Sequence, residues 1–211
     1  RWGRSDAKIL EEGITSIRSE AEDMQDLIEK LLFLARADQK RQILHKDFVH
    51  LDELVDDSVR KMKLVAKEHT VQIAVNEPGI IYADPATMRQ MMRIFLENAV
   101  KYTPAGGHIA VSSRRLPEKG CMELTFADDG IGIAQEDKDK IFERFYRADS
   151  ARTKKADSIG GTGLGLSIAS WIAEQHEIEI AVESELDKGT KFILTIPLAE
   201  DDESDTSDKE G

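Results

Sequence analysis

With 211 residues and 40% hydrophobic side chains, the chain can bury one sizeable core plus an appendage, which excludes a wholly disordered polypeptide. Forty-one acidic against 29 basic residues give a net charge of −12, which repels duplex nucleic acid and anionic lipid and leaves nucleic acid outside the expected partners. The single cysteine, Cys121, excludes an internal disulfide and a cysteine metal cluster, points to a reducing compartment and reads as a small core residue.

No apolar run approaches the ~20 residues that span a bilayer. The start at Arg1 rather than Met is read as that of a fragment, with any membrane segments upstream. From Ala7 to Arg36, residues Leu10, Ile14, Ile17, Ala21, Met24, Ile28, Leu31 and Ala35 recur in steps of four and three, a heptad seam. On a lone helix this stripe would face water, so a dimeric bundle is expected; a core helix of one globular domain is the alternative. Next, "HKDFVHL" reads as a short strand. Asp52 to Lys67 reads as a helix with Leu54, Val55, Val59, Met62, Val65 and Ala66 on one face. "TVQIAV" and "IIYA" are expected to pair as a hairpin across "NEPG". Asp84 is placed to cap, and Pro85 to begin, a helix reaching about Tyr102. "HIAVSSRRL" and "CMELTFAD" form a second hairpin through "PEKG". A helix from Leu164 to His176 precedes a last hairpin, "IEIAVESE" and "TKFILTI", through "LDKG".

Strands that come mostly in hairpins, interspersed with helices, predict an α+β fold: a two-layer sandwich of one mixed sheet covered by helices, preceded by a long coiled-coil helix. The expected divisions are 1–40 for the heptad helix, 41–198 for the sandwich and 199–211 for an acidic tail without core formers, expected to be disordered.

Three polar clusters punctuate the sandwich. On the long helix, Asn98 and Lys101 share a face, and an amide oxygen beside an ammonium suits a metal nucleotide as well as it suits a solvated surface. "DDGIGIA" ends a strand with an acid and two glycines, which fits a ligand turn or a plain hairpin. "SIGGTGLGLSIA" concentrates four glycines in six residues before a helix. Gly160 and Gly165 have Walker A spacing, but Leu166 stands where that motif needs lysine. The dinucleotide pattern fails at the same leucine. Ahead of it, "IFERFYRADSARTKKADS" is long and basic, as an anion-binding lid would be.

In this order and spacing the clusters resemble the boxes of sensor histidine kinases: "LENAVKYTP" is similar to their N box, "DDGIGI" to their first glycine box, "FERFYR" to their F box and "GGTGLGL" to their second glycine box. The resemblance covers about Ala7 to Pro197. It implies a Bergerat-type sandwich, of the superfamily shared with gyrase, chaperone and MutL ATPases, that uses ATP with magnesium. It further implies that Asn98 binds the metal, Lys101 approaches the phosphates and Tyr102 lines the adenine site. By the same resemblance Asp128 accepts from the adenine amino group, Gly130 and Gly132 let the base approach, and Gly161, Thr162, Gly163, Leu164 and Gly165 line the phosphate chain. Arg144 and Arg147 are the implied γ-phosphate partners, with Arg152, Lys154 and Lys155 behind them. Phe142 and Phe145 read as packing that anchors the lid.

The heptad helix resembles the second helix of the dimerisation hairpin. That implies a homodimer through this helix, a response-regulator receiver domain as partner, and a cytoplasmic module whose only membrane link is upstream. None of the five histidines fits the acceptor pattern, so the phosphate-accepting histidine is expected on the first helix of that hairpin. Ile94 stands where many such kinases carry a second Asn and where related ATPases carry a water-activating Glu. Two other readings stay open: a nucleotide-binding interaction module that transfers no phosphate, and a hydrolysing ATPase.

Overall fold

The computed structural model describes residues 4–148 and 161–199, with side chains from residue 9 onward. The chain divides into two units, Arg1–Gln42 and Ile43–Gly211. The first is built on one helix, α1 (Arg4–Asp38). Its seam residues Leu10, Ile14, Ile17, Met24 and Ile28 are 52–72% exposed, so the helix by itself leaves the stripe uncovered. Beside the stripe, Arg18 pairs with Glu22 at 2.9 Å and Lys30 with Asp26 at 2.5 Å, each one helical turn apart. Such pairs add a few tenths of a kcal/mol, so burial of the stripe must supply most of the helix's stability.

In the second unit the order is β1 (Asp47–His50), α2 (Leu51–Val65), β2 (Thr70–Asn76), β3 (Ile80–Ala83), α3 (Pro85–Tyr102), β4 (His108–Leu116), β5 (Cys121–Asp128), α4 (Gly165–Gln175), β6 (Glu179–Glu185) and β7 (Gly189–Pro197). Five strands make one mixed sheet in the order β2-β4-β5-β7-β6, and β1 pairs with β3 in a separate two-stranded sheet. Among the described strand pairs only β2–β4 is parallel. That pairing needs a crossover, which α3 provides, and the crossover lays α3 between α2 and α4 over the sheet.

The inward positions alternate as a half-buried sheet requires: Ile109 and Val111 on β4, Met122, Leu124 and Phe126 on β5, and Phe192, Leu194 and Ile196 on β7 are all buried. Phe95 of α3 enters this layer, its ring 5.3 Å from that of Phe126 and 4.9 Å from that of Phe192. At the head of α3 the Asp84 Oδ1 accepts from the amides of Ala86 and Thr87, both at 2.9 Å, the N-cap that the sequence signals. Capping of this kind is worth ~1 kcal/mol. Burial works against the Asp84 charge, yet hydrogen bonds from Thr87, His45 and Ala86 outweigh it and hold the carboxyl below its ordinary range.

One expected pairing is overturned. β2 and β3 are not a hairpin: β3 runs antiparallel to β1, and β2 joins the large sheet. The Gly79 and Ile80 carbonyls are taken by other partners, since Leu51 N–H donates to the Gly79 carbonyl and Ala199 N–H to that of Ile80, both at 2.9 Å. Alternation marks a strand as half-buried without naming its partner. Three side chains also differ from expectation. Val65, at the frayed end of α2, is 72% exposed rather than on the buried face. Cys121 is half-buried at the start of β5, its Sγ 3.2 Å from the Lys119 carbonyl. Phe145 is 62% exposed, whereas Phe142 does pack, edge-on to Phe192 at 6.5 Å. The tail 200–211 lies outside the described residues.

Candidate functional site

Asp128 closes β5 half-buried. Its Oδ1 accepts the Gly130 amide at 2.9 Å and the Thr190 amide at 3.2 Å. Oδ2 has no hydrogen-bond partner among the described residues and remains an open acceptor. Burial raises the carboxyl above its ordinary 3.8 against the pull of those two amides, and the neighbouring Asp129 charge pushes it the same way as burial. Asp129 itself turns outward, accepting from the His108 amide at 2.8 Å and ring Nδ1 at 3.0 Å.

The turn after Asp128 is stitched to the end of α3. Ile131 N–H donates to the Tyr102 carbonyl at 3.1 Å, and a Cβ on Gly130 would collide with that same carbonyl. Only glycine lets the two chains approach so closely. Gly132 lies against the Glu185 backbone, at the tip of the β6–β7 hairpin. Near the end of α3, Lys101 holds its Nζ 5.0 Å from the Tyr102 ring centroid. A Cβ on Gly161 would collide with that Nζ, so the glycine loop passes directly beside the ammonium. Asn98, one turn earlier, is half-buried, and its carboxamide has no partner among the described residues.

Gly163 has φ +68°, and its carbonyl accepts the Phe145 amide at 3.0 Å; a Cβ would stand 2.8 Å from the Phe145 carbonyl carbon. That contact ties the segment carrying Arg144 and Arg147, both exposed, to the loop. Thr162 is half-buried, and the buried Leu164 precedes α4 without giving it a side-chain cap. The first amides of α4 are therefore left for an anion. On the other side of the loop, Ile94 is 4% exposed, with Cγ2 3.3 Å from where a Cβ on Gly165 would lie. It is a packing residue and offers no ligand.

The arrangement offers an acceptor for a ring amino group, an amide oxygen for a hard cation, and an ammonium with uncapped helix amides for phosphate. Among the described residues no group of three or more His, Cys, Asp or Glu could hold a metal ion. The Asn98 amide oxygen could serve a hard cation that takes its remaining ligands from a bound phosphate and water, and the described residues do not offer a protein cage.

The sequence profile of the histidine kinase-, DNA gyrase B- and HSP90-like ATPases matches residues 83–200. The chain belongs to that ATPase family. Among curated relatives, the sensor histidine kinase YkoH of Bacillus subtilis is 37% identical over 194 residues, 92% of this chain and 41% of that protein. The signal transduction histidine-protein kinase ArlS of Staphylococcus aureus is 34% identical over 193 residues, 91% of this chain and 42% of that protein. The chain thus spans about two fifths of the length of these relatives. Among solved structures, full-length ShkA in complex with AMPPNP superposes with a TM-score of 0.74 at 26% identity, over 90% of this chain and 39% of that one.

Lys101, Tyr102, Asp128, Gly130, Gly132 and the 161–165 loop are linked by the contacts above, and Asn98 lies one turn before Lys101 on the same helix. Arg144 and Arg147 lie on the adjoining segment, while Arg152, Lys154 and Lys155 are outside the described residues. Two contributors go unread in the sequence. Thr190 braces Asp128 from the opposite strand of the β5–β7 ladder, where the two are register partners. Gly189, at φ +95°, packs beneath the Asp128 carbonyl. The only signal is the "DKGT" turn that begins β7.

Proposed function

We propose that this chain is the catalytic part of a two-component sensor histidine kinase, which binds ATP with magnesium and passes the γ-phosphate to a histidine on the partner helix of the dimerisation hairpin. The observation that carries the reading is the open Oδ2 of Asp128, whose Oδ1 is held by the Gly130 and Thr190 amides and whose turn is joined through the Tyr102 carbonyl to the helix that presents Asn98 and Lys101. The ShkA complex with AMPPNP supports it by analogy of fold.

In the proposed reaction Asp128 orients the adenine, and Lys101, Arg144, Arg147 and the first amides of α4 neutralise the phosphates. Magnesium, when bound, supplies further charge neutralisation. The acceptor imidazole nitrogen forms a bond to the γ-phosphorus as the bond to the bridging oxygen breaks and ADP leaves. Placement and charge provide most of the acceleration. Hydrolysis is disfavoured, because Ile94, which stands where the resemblance places the water-activating acid of related ATPases, is buried and apolar. The uncovered stripe of α1 supports a homodimer through that helix, and a response-regulator receiver domain is the proposed next acceptor. Among the described residues no helix is long and apolar enough to cross a membrane. A cytoplasmic module tethered to the plasma membrane by upstream segments is the proposed setting.

The test mixes the chain, labelled ATP and a helical-hairpin protein bearing the acceptor histidine. Acid-labile label on that histidine is expected. Asn98→Ala should lower transfer by about 100-fold and abolish the magnesium dependence of ATP binding, with metal-free binding unchanged within about twofold. Absence of label with the wild-type chain at saturating ATP contradicts the reading.

A further inference from the structure

The two helices that frame the nucleotide site also meet at their other ends, about 27 Å along α3 at 1.5 Å per residue. There a single imidazole joins them. His176, the residue after α4, is 6% exposed. Its Nε2 lies 3.0 Å from the Asp84 amide nitrogen and its Nδ1 2.8 Å from the Ile172 carbonyl oxygen. A peptide nitrogen only donates and a carbonyl only accepts, so Nε2 is the acceptor and Nδ1 carries the proton. The ring is neutral.

The same junction holds the segment that enters the domain. His45 N–H donates to Asp84 Oδ2 at 2.7 Å, and Lys46 Nζ donates to the Gln175 carbonyl, the last of α4, at 2.6 Å. The titratable groups here are His45 and Lys46 on the entering segment, Tyr82 on β3, Asp84 at the head of α3, and Glu174 and Glu177 on the histidine's own segment. None of the nucleotide contacts described above uses this cluster.

We propose that His176 is a positioning residue for phosphate transfer: as a neutral imidazole it bolts the start of α3 to the end of α4, and so fixes Asn98 and Lys101 against the glycine-lined start of α4. The proposal rests on the nucleotide-site reading given above. Its consequence is a dependence on pH. A protonated ring carries N–H at both nitrogens and presents a donor to the Asp84 amide, so the bolt opens. Burial lowers the His176 pKa from its ordinary 6.5, Lys46 acts in the same direction, and the Ile172 carbonyl and Asp84 charge oppose them. The unfolded chain then binds the extra proton more readily than the folded one. The junction is at full strength above 6.5 and weakens as the pH falls through the lowered folded value.

Three proteins test this: the wild type, His176→Gln, whose amide oxygen can still accept from Asp84 but does not titrate, and His176→Phe, which fills the space and leaves the amide unpaired. ADP affinity is measured from pH 7.5 down to the acid limit of folding, with hydrogen exchange at the Asp84 amide and along α3; the titration of ADP itself is common to all three. The expected result is equal affinity for wild type and His176→Gln at pH 7.5. As the pH falls through the lowered His176 value the wild type should drop about fivefold below His176→Gln, and His176→Phe should be about tenfold weaker throughout, with faster exchange at Asp84. Parallel pH profiles for wild type and His176→Gln, or wild-type affinity and exchange in His176→Phe, would overturn the proposal. A wild type that binds no ADP at pH 7.5 refutes the nucleotide site instead; slower α3 exchange in wild type than in His176→Phe would then still support the bolt, and equal exchange would remove it.

Discussion

Replacing Asp128 by Asn is expected to weaken adenine-nucleotide binding by about 100-fold while leaving the domain as stable as before, or more so. Asn retains the Oδ1 that accepts from Gly130 and Thr190, so the turn keeps both its braces. What changes is the other terminal atom: an NH2 replaces Oδ2 and meets the amino group of the base donor against donor. Loss of a charge-assisted hydrogen bond together with an unpaired buried donor amounts to about 2–3 kcal/mol, hence the factor. The stability half of the result follows from the pKa. Burial raises the carboxyl above 3.8, so ionisation costs the unliganded domain stability, a cost absent below 3.8 and incurred as the pH rises through the raised folded value. At neutral pH the uncharged Asn escapes it. Calorimetric ADP titration and thermal unfolding of the two proteins check both halves. Affinity within twofold of wild type, with the fold intact, would remove Asp128 from the site.

Phe95→Ala carries the largest expected effect on the fold. The ring is fully buried and packs against Phe126 and Phe192 from neighbouring strands, so truncation leaves a cavity where α3 seats on the sheet. Large-to-small changes of this kind cost ~3–5 kcal/mol, a substantial part of the ~5–15 kcal/mol that holds a domain together. Urea unfolding should show a midpoint shift of that size with the slope unchanged. Since Asn98 follows Phe95 by one turn on the same helix, nucleotide affinity should fall as well. A loss below about 1 kcal/mol would mean that α3 is not seated as described.

These two residues also mark how far the sequence could be read. Asp128, Asn98, Lys101 and the glycine loop stand out as candidates because each sits in a short contiguous motif, and such motifs keep their order whatever the fold does between them. The heptad seam of α1 is legible for a related reason: periodicity along one helix is local. Thr190 is not, because its contribution is a backbone amide, which has no side-chain signature, delivered 62 residues away through the β5–β7 ladder. The pairing of β3 with β1 was hidden in the same way, since alternation in "IIYA" shows a half-buried strand and is silent about its neighbour. Of His176 the sequence says only that it does not fit the acceptor pattern. Only its two hydrogen bonds, to Asp84 and Ile172, show that it joins the two helices of the site.

That one adenine nucleotide touches Asp128, Asn98 and the Gly163 loop together is tested most directly by titrating the isotopically labelled chain with magnesium and ADP, following the backbone amides of Gly130, Gly163 and Thr190 and the side-chain amide of Asn98. All four signals are expected to shift along one binding curve with a single Kd. Silent signals at saturating ADP, or curves with different Kd values for the Asp128 side and the Gly163 side, would contradict it.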